Sequence, residues 1–134
     1  MQHDLTIICD DIRQEVGRKL SLIGIYSEAI IVSKVPARLA KLCIFQRWKG
    51  SDQPRSFRLE VKGSALPATF AAVGTRDEEH YNSAVTHAQL MVSFAPFDIL
   101  AAGDCQFITY LGDAENPSHV HNFVVRVDPA LIIE

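Results

Sequence analysis

Apolar, β-branched runs broken roughly every ten to fifteen residues by turn chemistry constrain this chain more than any other feature of its sequence. Leu5–Cys9 (LTIIC), Lys19–Tyr26 (KLSLIGIY), Ala29–Ser33 (AIIVS) and Ala40–Lys49 (AKLCIFQRWK) read as strands. So do Ser56–Lys62 (SFRLEVK), His87–Phe94 (HAQLMVSF), Asp104–Leu111 (DCQFITYL) and Val120–Val127 (VHNFVVRV). Gly50–Pro54, Gly103–Asp104 and Gly112–Ser118 supply turns between them. About eight short strands of this kind predict an all-β fold, a single-domain antiparallel β-sandwich over residues 1–134. At most one short helix is expected, near 76–88. At 134 residues the chain suits one domain, large enough to bury about two-thirds of its unfolded surface without staples.

Several function classes drop out early. No run of about 18 apolar residues exists, so no membrane helix is expected. The start, MQHDLTIICDD, has no basic segment followed by an apolar one, so no signal peptide is expected. Cys9, Cys43 and Cys105 are odd in number, sit in apolar runs and lack zinc spacing. Reduced, buried thiols in a cytoplasmic protein follow. There is no G-x-S-x-G, P-loop, G-x-G-x-x-G or H-E-x-x-H, so no catalytic residue and no cofactor is nominated.

Charge is segregated. Residues 34–62 hold eight basic and two acidic residues, a net of +6, whereas the rest of the chain nets −9. A net charge of −3 disfavours nucleic acid as a partner. A dipolar molecule suits a protein partner or self-association into a homo-oligomer. The charged block from Asp10 to Lys19 is expected to be a solvated turn at a sheet rim, with Gly17 turning the chain.

Parity then proposes a register. If Ala40–Lys49 and Arg55–Lys62 form a hairpin, Leu42 faces Val61, Ile44 faces Leu59 and Gln46 faces Phe57 on an apolar side. The opposite side collects Lys41, Phe45, Arg47, Arg58 and Lys62, a basic-aromatic patch fit to bind a partner. In a weaker reading the same patch takes an oligonucleotide or another anion. A blander reading has Phe45 covering sheet surface beneath long Arg and Lys stems.

Two further groups carry candidate chemistry. His119 and His121 form an H-x-H pair whose imidazoles share one side of a strand, a spacing used by metal sites. A third ligand would have to come from His80, His87 or Asp113. Ordinary strand-end histidines explain the same letters. Asp77, Glu78, Glu79 and His80 crowd into one turn, which suits acid–base work or simply a solvated helix start. The tail Leu131-Ile132-Ile133 is expected to dock as a last strand, on its own sheet or a neighbour's.

The block Gly17–Tyr26 (GRKLSLIGIY), then Pro36, then Arg55–Gly63 (RSFRLEVKG), resembles a family of small uncharacterised bacterial proteins, some met near phage-like genes. Its members share a G-x-K-L-S-L-I-G-I-Y-type block. The resemblance covers roughly residues 5–65 and implies an all-β fold without assigning an activity to any residue. The residues themselves favour a non-enzymatic binding or assembly module acting through a sheet surface. The alternative is a metal-binding protein or metal-dependent enzyme built on His119 and His121.

Overall fold

Alternation of inward and outward side chains, rather than local propensity alone, decides how these strands are layered. The computed structural model describes residues 1–17, 19–50, 56–75 and 87–131. Among them are eleven strands and no helix: β1 (Gln2–Glu15), β2 (Lys19–Tyr26), β3 (Ala29–Val32), β4 (Ala37–Leu39), β5 (Leu42–Lys49) and β6 (Ser56–Lys62), then β7 (Phe70–Thr75), β8 (His87–Phe94), β9 (Phe97–Ile99), β10 (Gly103–Leu111) and β11 (His119–Val127). Residues 76–86, where most of the expected helix falls, lie outside the described residues, and His87 and Ala88 belong to β8.

The strands form a four-stranded sheet in the order β2-β1-β5-β8 and a five-stranded sheet in the order β3-β11-β10-β6-β7. A two-stranded piece, β4-β9, completes the set. Pairing is antiparallel except between β3 and β11, which run parallel with Val124 opposite Ala29. Ile8, Leu42, Ile44, Leu90 and Val92 from the smaller sheet meet Ile30, Leu59, Val61, Phe107, Phe123 and Val125 from the larger in one core. Phe97 and Ile99 of β9 enter the same core, and Phe97 packs against the ring of Phe70 at 5.3 Å. The fold is a β-sandwich, as the spacing of the apolar runs predicted.

The expected hairpin between residues 40–49 and 55–62 does not form. β5 lies between β1 and β8, whereas β6 lies between β10 and β7 in the other sheet. Leu42, Ile44, Leu59 and Val61 are all buried, as parity demanded, but they meet across the sandwich rather than side by side. β5 is the reason: Cys43 and Phe45 on its other face are also buried, which suits a central strand flanked on both edges.

The charged block is also not a rim turn. β1 continues through it to Glu15, paired with β2 from Ile8↔Tyr26 to Glu15↔Lys19. β5 stops pairing with β1 at Cys9↔Cys43, so residues 11–15 and 19–23 form a two-stranded ribbon that runs past β5. Tyr26 donates to Asp10 at 2.5 Å at the ribbon's root, and Asp11 takes Lys41 at 2.7 Å and Arg13 at 3.2 Å. In the tail, Leu131 is outside any strand, and residues 132–134 lie outside the described residues.

Candidate functional site

A polar pocket of side chains sits between the sheets, and a one-residue irregularity in β1 builds it. From Leu5 to Cys9 the register with β5 is regular, with Thr6 and Ile8 pointing inward opposite Gln46 and Ile44. Asp4 is an extra residue: His3 pairs with Trp48 and Leu5 with Arg47. Such a bulge reverses parity beyond it. His3 therefore turns inward with Trp48, while Asp4 turns outward to Arg47 at 2.6 Å and Lys49 at 3.3 Å. Those two cations hold the Asp4 carboxyl below the usual carboxylate range, the hydrogen bond from Arg47 contributing most.

Across the gap, β11 points His119 and His121 inward beside Thr109 and Phe107 of β10. His3 and His119 stack with ring centroids 3.5 Å apart and planes 7° from parallel. His121 follows at 6.2 Å from His119. Trp48 stands edge-on to both His3 and His119, at 5.3 Å and 6.3 Å. Behind it, Gln46 and Thr109 are fully buried. Gln46 Oε1 accepts from Thr109 Oγ1 at 3.0 Å and from Trp48 Nε1 at 3.2 Å. Gln46 Nε2 and His119 Nε2 are buried without a partner.

His119 and His121 thus lie side by side on the inner face, as their parity with Phe123 and Val125 implied, but the third imidazole is His3. Face-to-face stacking sets the lone pairs of His3 and His119 in parallel planes instead of on a common point. Among the described residues no group of three or more His, Cys, Asp and Glu side chains is arranged to hold a metal ion. His80 and the acids Asp77, Glu78 and Glu79 lie outside the described residues.

The basic-aromatic patch divides between two layers, because β5 and β6 are in different sheets. Lys41, Phe45 and Arg47 share the outer face of the four-stranded sheet, with Lys41 bound to Asp11 and Arg47 to Asp4. Phe45 is only 7% exposed there, between Ile7 and Met91. Arg58 and Lys62 lie on the five-stranded sheet, where Arg58 sits 4.1 Å over the Tyr110 ring and 3.5 Å from Glu60.

What the split uncovers is a different surface. Ile23, Ile25, Cys9, Cys43, Ile7, Phe45 and Met91 form an apolar band across β2, β1, β5 and β8. Ion pairs close it at both ends, Asp11–Lys41 at one and Asp4–Arg47 at the other. Cys9 and Cys43 are buried free thiols within it, and burial pushes the Cys9 thiol up to about 11. Cys105, in the core, is pushed up to about 12 by the same cause. Ile23 and Ile25 are 42% and 55% exposed, and Val16 at the ribbon tip is 92% exposed. A shallow groove of about 360 Å³ adjoins the ribbon's root, bordered by Ile25, Tyr26, Glu28, Ile31, Arg126 and Leu131.

Comparison with known proteins gives one match. The family of unknown function DUF6941 matches residues 4–119. The chain belongs to that family. The DUF6941 span takes in the outer face of the four-stranded sheet from Asp4 onward and the buried Gln46, Trp48 and Thr109. No curated protein and no solved structure matches the chain. Among the described residues no helix is long and apolar enough to cross a membrane.

Proposed function

We propose that this DUF6941 protein is a non-enzymatic assembly module that pairs with a second copy through the β1–β2 ribbon and the adjoining face of the four-stranded sheet. One observation carries the reading: among the described residues β2 is an unpaired sheet edge of eight residues whose only charge is Lys19, and it has Ile23 and Ile25 exposed. Long apolar edges are normally blunted by charge, proline or a covering segment, because their free N–H and C=O groups recruit another strand. A two-stranded ribbon is marginal in water by itself. Its apolar residues lie on both faces: Ile12 opposite Leu22 on one, Ile23 and Ile25 on the other. Antiparallel pairing of β2 with its copy about a two-fold axis sets residues of like parity opposite each other. Leucines then meet small or apolar partners, and no ionised side chain is forced inward. Buried, unpaired thiols fit a reducing compartment such as the cytoplasm.

Light scattering coupled to gel filtration over a salt series tests this. A dimer is expected that persists at high salt, since apolar contact and backbone pairing carry it. The double substitution Ile23→Lys and Ile25→Lys is expected to give a monomer with an unchanged melting temperature. A wild-type monomer at all salt concentrations, or a dimer untouched by the double substitution, rejects the proposal.

A further inference from the structure

His3 belongs to one sheet and His119 and His121 to the other, so the stack of His3 on His119, with His121 tilted alongside at 6.2 Å, joins the two layers of the sandwich. Neutral imidazoles tolerate a centroid distance of 3.5 Å. Imidazolium ions at that distance, partly shielded from water, repel one another. We propose that the stacked pair His3–His119, with His121 tilted beside it, is an acid-sensitive clasp between the sheets, closed while the rings are neutral and released when they take up protons.

The surroundings give a protonated ring little counter-charge. The partner of His3 Nε2 is the neutral Thr6 hydroxyl, at 2.6 Å. The backbone of Leu5 supports the charged ring more weakly than desolvation opposes it. From β5, Trp48 faces the stack edge-on, and Gln46 behind it is uncharged. From β10, Thr109 and Phe107 stand opposite His119 and His121. From β8, Ala88 stands opposite Trp48. Asp4 on β1 is the one ionised group beside the stack among these described residues, and Arg47 and Lys49 already share its carboxylate. Desolvation is the largest influence on all three histidines and holds each below the ordinary 6.5. His119 and His121 push His3 further the same way, and Asp4 opposes them more weakly. His119 likewise depresses His121.

The direction of the effect follows by linkage. Each folded-state pKa lies below the unfolded value of 6.5. Between the two values the unfolded chain binds more protons, so stability rises with pH there. Stability is complete above 6.5 and is lost as pH falls through that value toward the folded pKa values. Depressed carboxylates such as Asp4, Asp11 and Asp98 act in a separate, lower window beneath their ordinary 3.8.

Trp48 is the chain's one tryptophan, and its emission reports on the clasp. On acidifying the full-length protein from about pH 7.5 to about pH 5, the melting temperature is expected to fall by roughly 5 °C or more. A red shift of Trp48 emission should accompany it. His3→Phe keeps a stacking ring and removes its proton, so this variant should lose much of that pH dependence. Should His3→Phe fail to fold, proton NMR of the wild-type histidines decides. Three imidazoles with midpoints below 6.5 and mutually broadened titrations uphold the clasp. Midpoints at or above 6.5, or a folded His3→Phe variant with the wild-type pH profile, overturn it.

Discussion

Gly63 and Gly17 both hold left-handed backbone, at φ +152° and +84°, yet a methyl group means different things at the two positions. At Gly63 an added Cβ would run into the backbone carbonyl of Asp104, which already accepts from the Ala65 N–H at 3.0 Å. At Gly17 nothing lies within 4 Å. Gly17→Ala should therefore cost about 1 kcal/mol, the backbone penalty alone. Gly63→Ala should cost about 3 kcal/mol or more, because β6 and β10 would have to part. Urea unfolding of the two variants measures the difference, and equal costs would mean the β6–β10 junction yields freely. At this scale the sequence was informative about direction and poor about company. Parity put Leu42, Ile44, Leu59 and Val61 inward, and the histidines too. It could not show that Gln46 would meet Thr109 or that His3 would meet His119, because those partners come from distant strands with no local signature.

Among the elements, β4 and β9 show which contacts hold a short strand. Arg38 on β4 grips Asp98 on β9 with bonds of 2.6 Å and 3.1 Å, but the two side chains are 68% and 38% exposed. Phe97 and Ile99 on the same β9 are buried in the core. Arg38→Ala should thus cost at most about 1 kcal/mol and less in high salt, whereas Phe97→Ala should cost about 3–5 kcal/mol. Thermal melts of both variants check the order. The eight strands rich in Ile, Val and aromatic residues were legible in the sequence. β4 and β9, three residues each, were too short to show a period, and β7 (FAAVGT) carries little β-branched character. The register of β1 was misjudged because its charges suit an exposed turn as well as the outer half of a ribbon. The β5–β6 hairpin failed for a similar reason: a period of two fixes which face a residue occupies, and says nothing about which sheet receives the strand.

At the scale of the whole molecule, most pairing is non-local. β1 closes on β5, β3 on β11 and β6 on β10, so few ladders can form before distant parts of the chain meet. Refolding is expected on the millisecond-to-second timescale typical of β-sandwiches. Stopped-flow fluorescence of Trp48 reads it directly, and microsecond refolding would contradict this topology. The architecture was foreseeable because apolar runs of strand length at regular spacing leave few alternatives to two packed sheets. The layer order was not, since it depends on which strand edges find each other. One surplus residue, Asp4, shows how much such geometry carries. Were β1 to pair regularly here, with Asp4 rather than His3 opposite Trp48, the chain would keep all its histidines yet aim the first of them at solvent. The response to acid is thus written in spacing rather than in inventory, and a count of imidazoles would miss it.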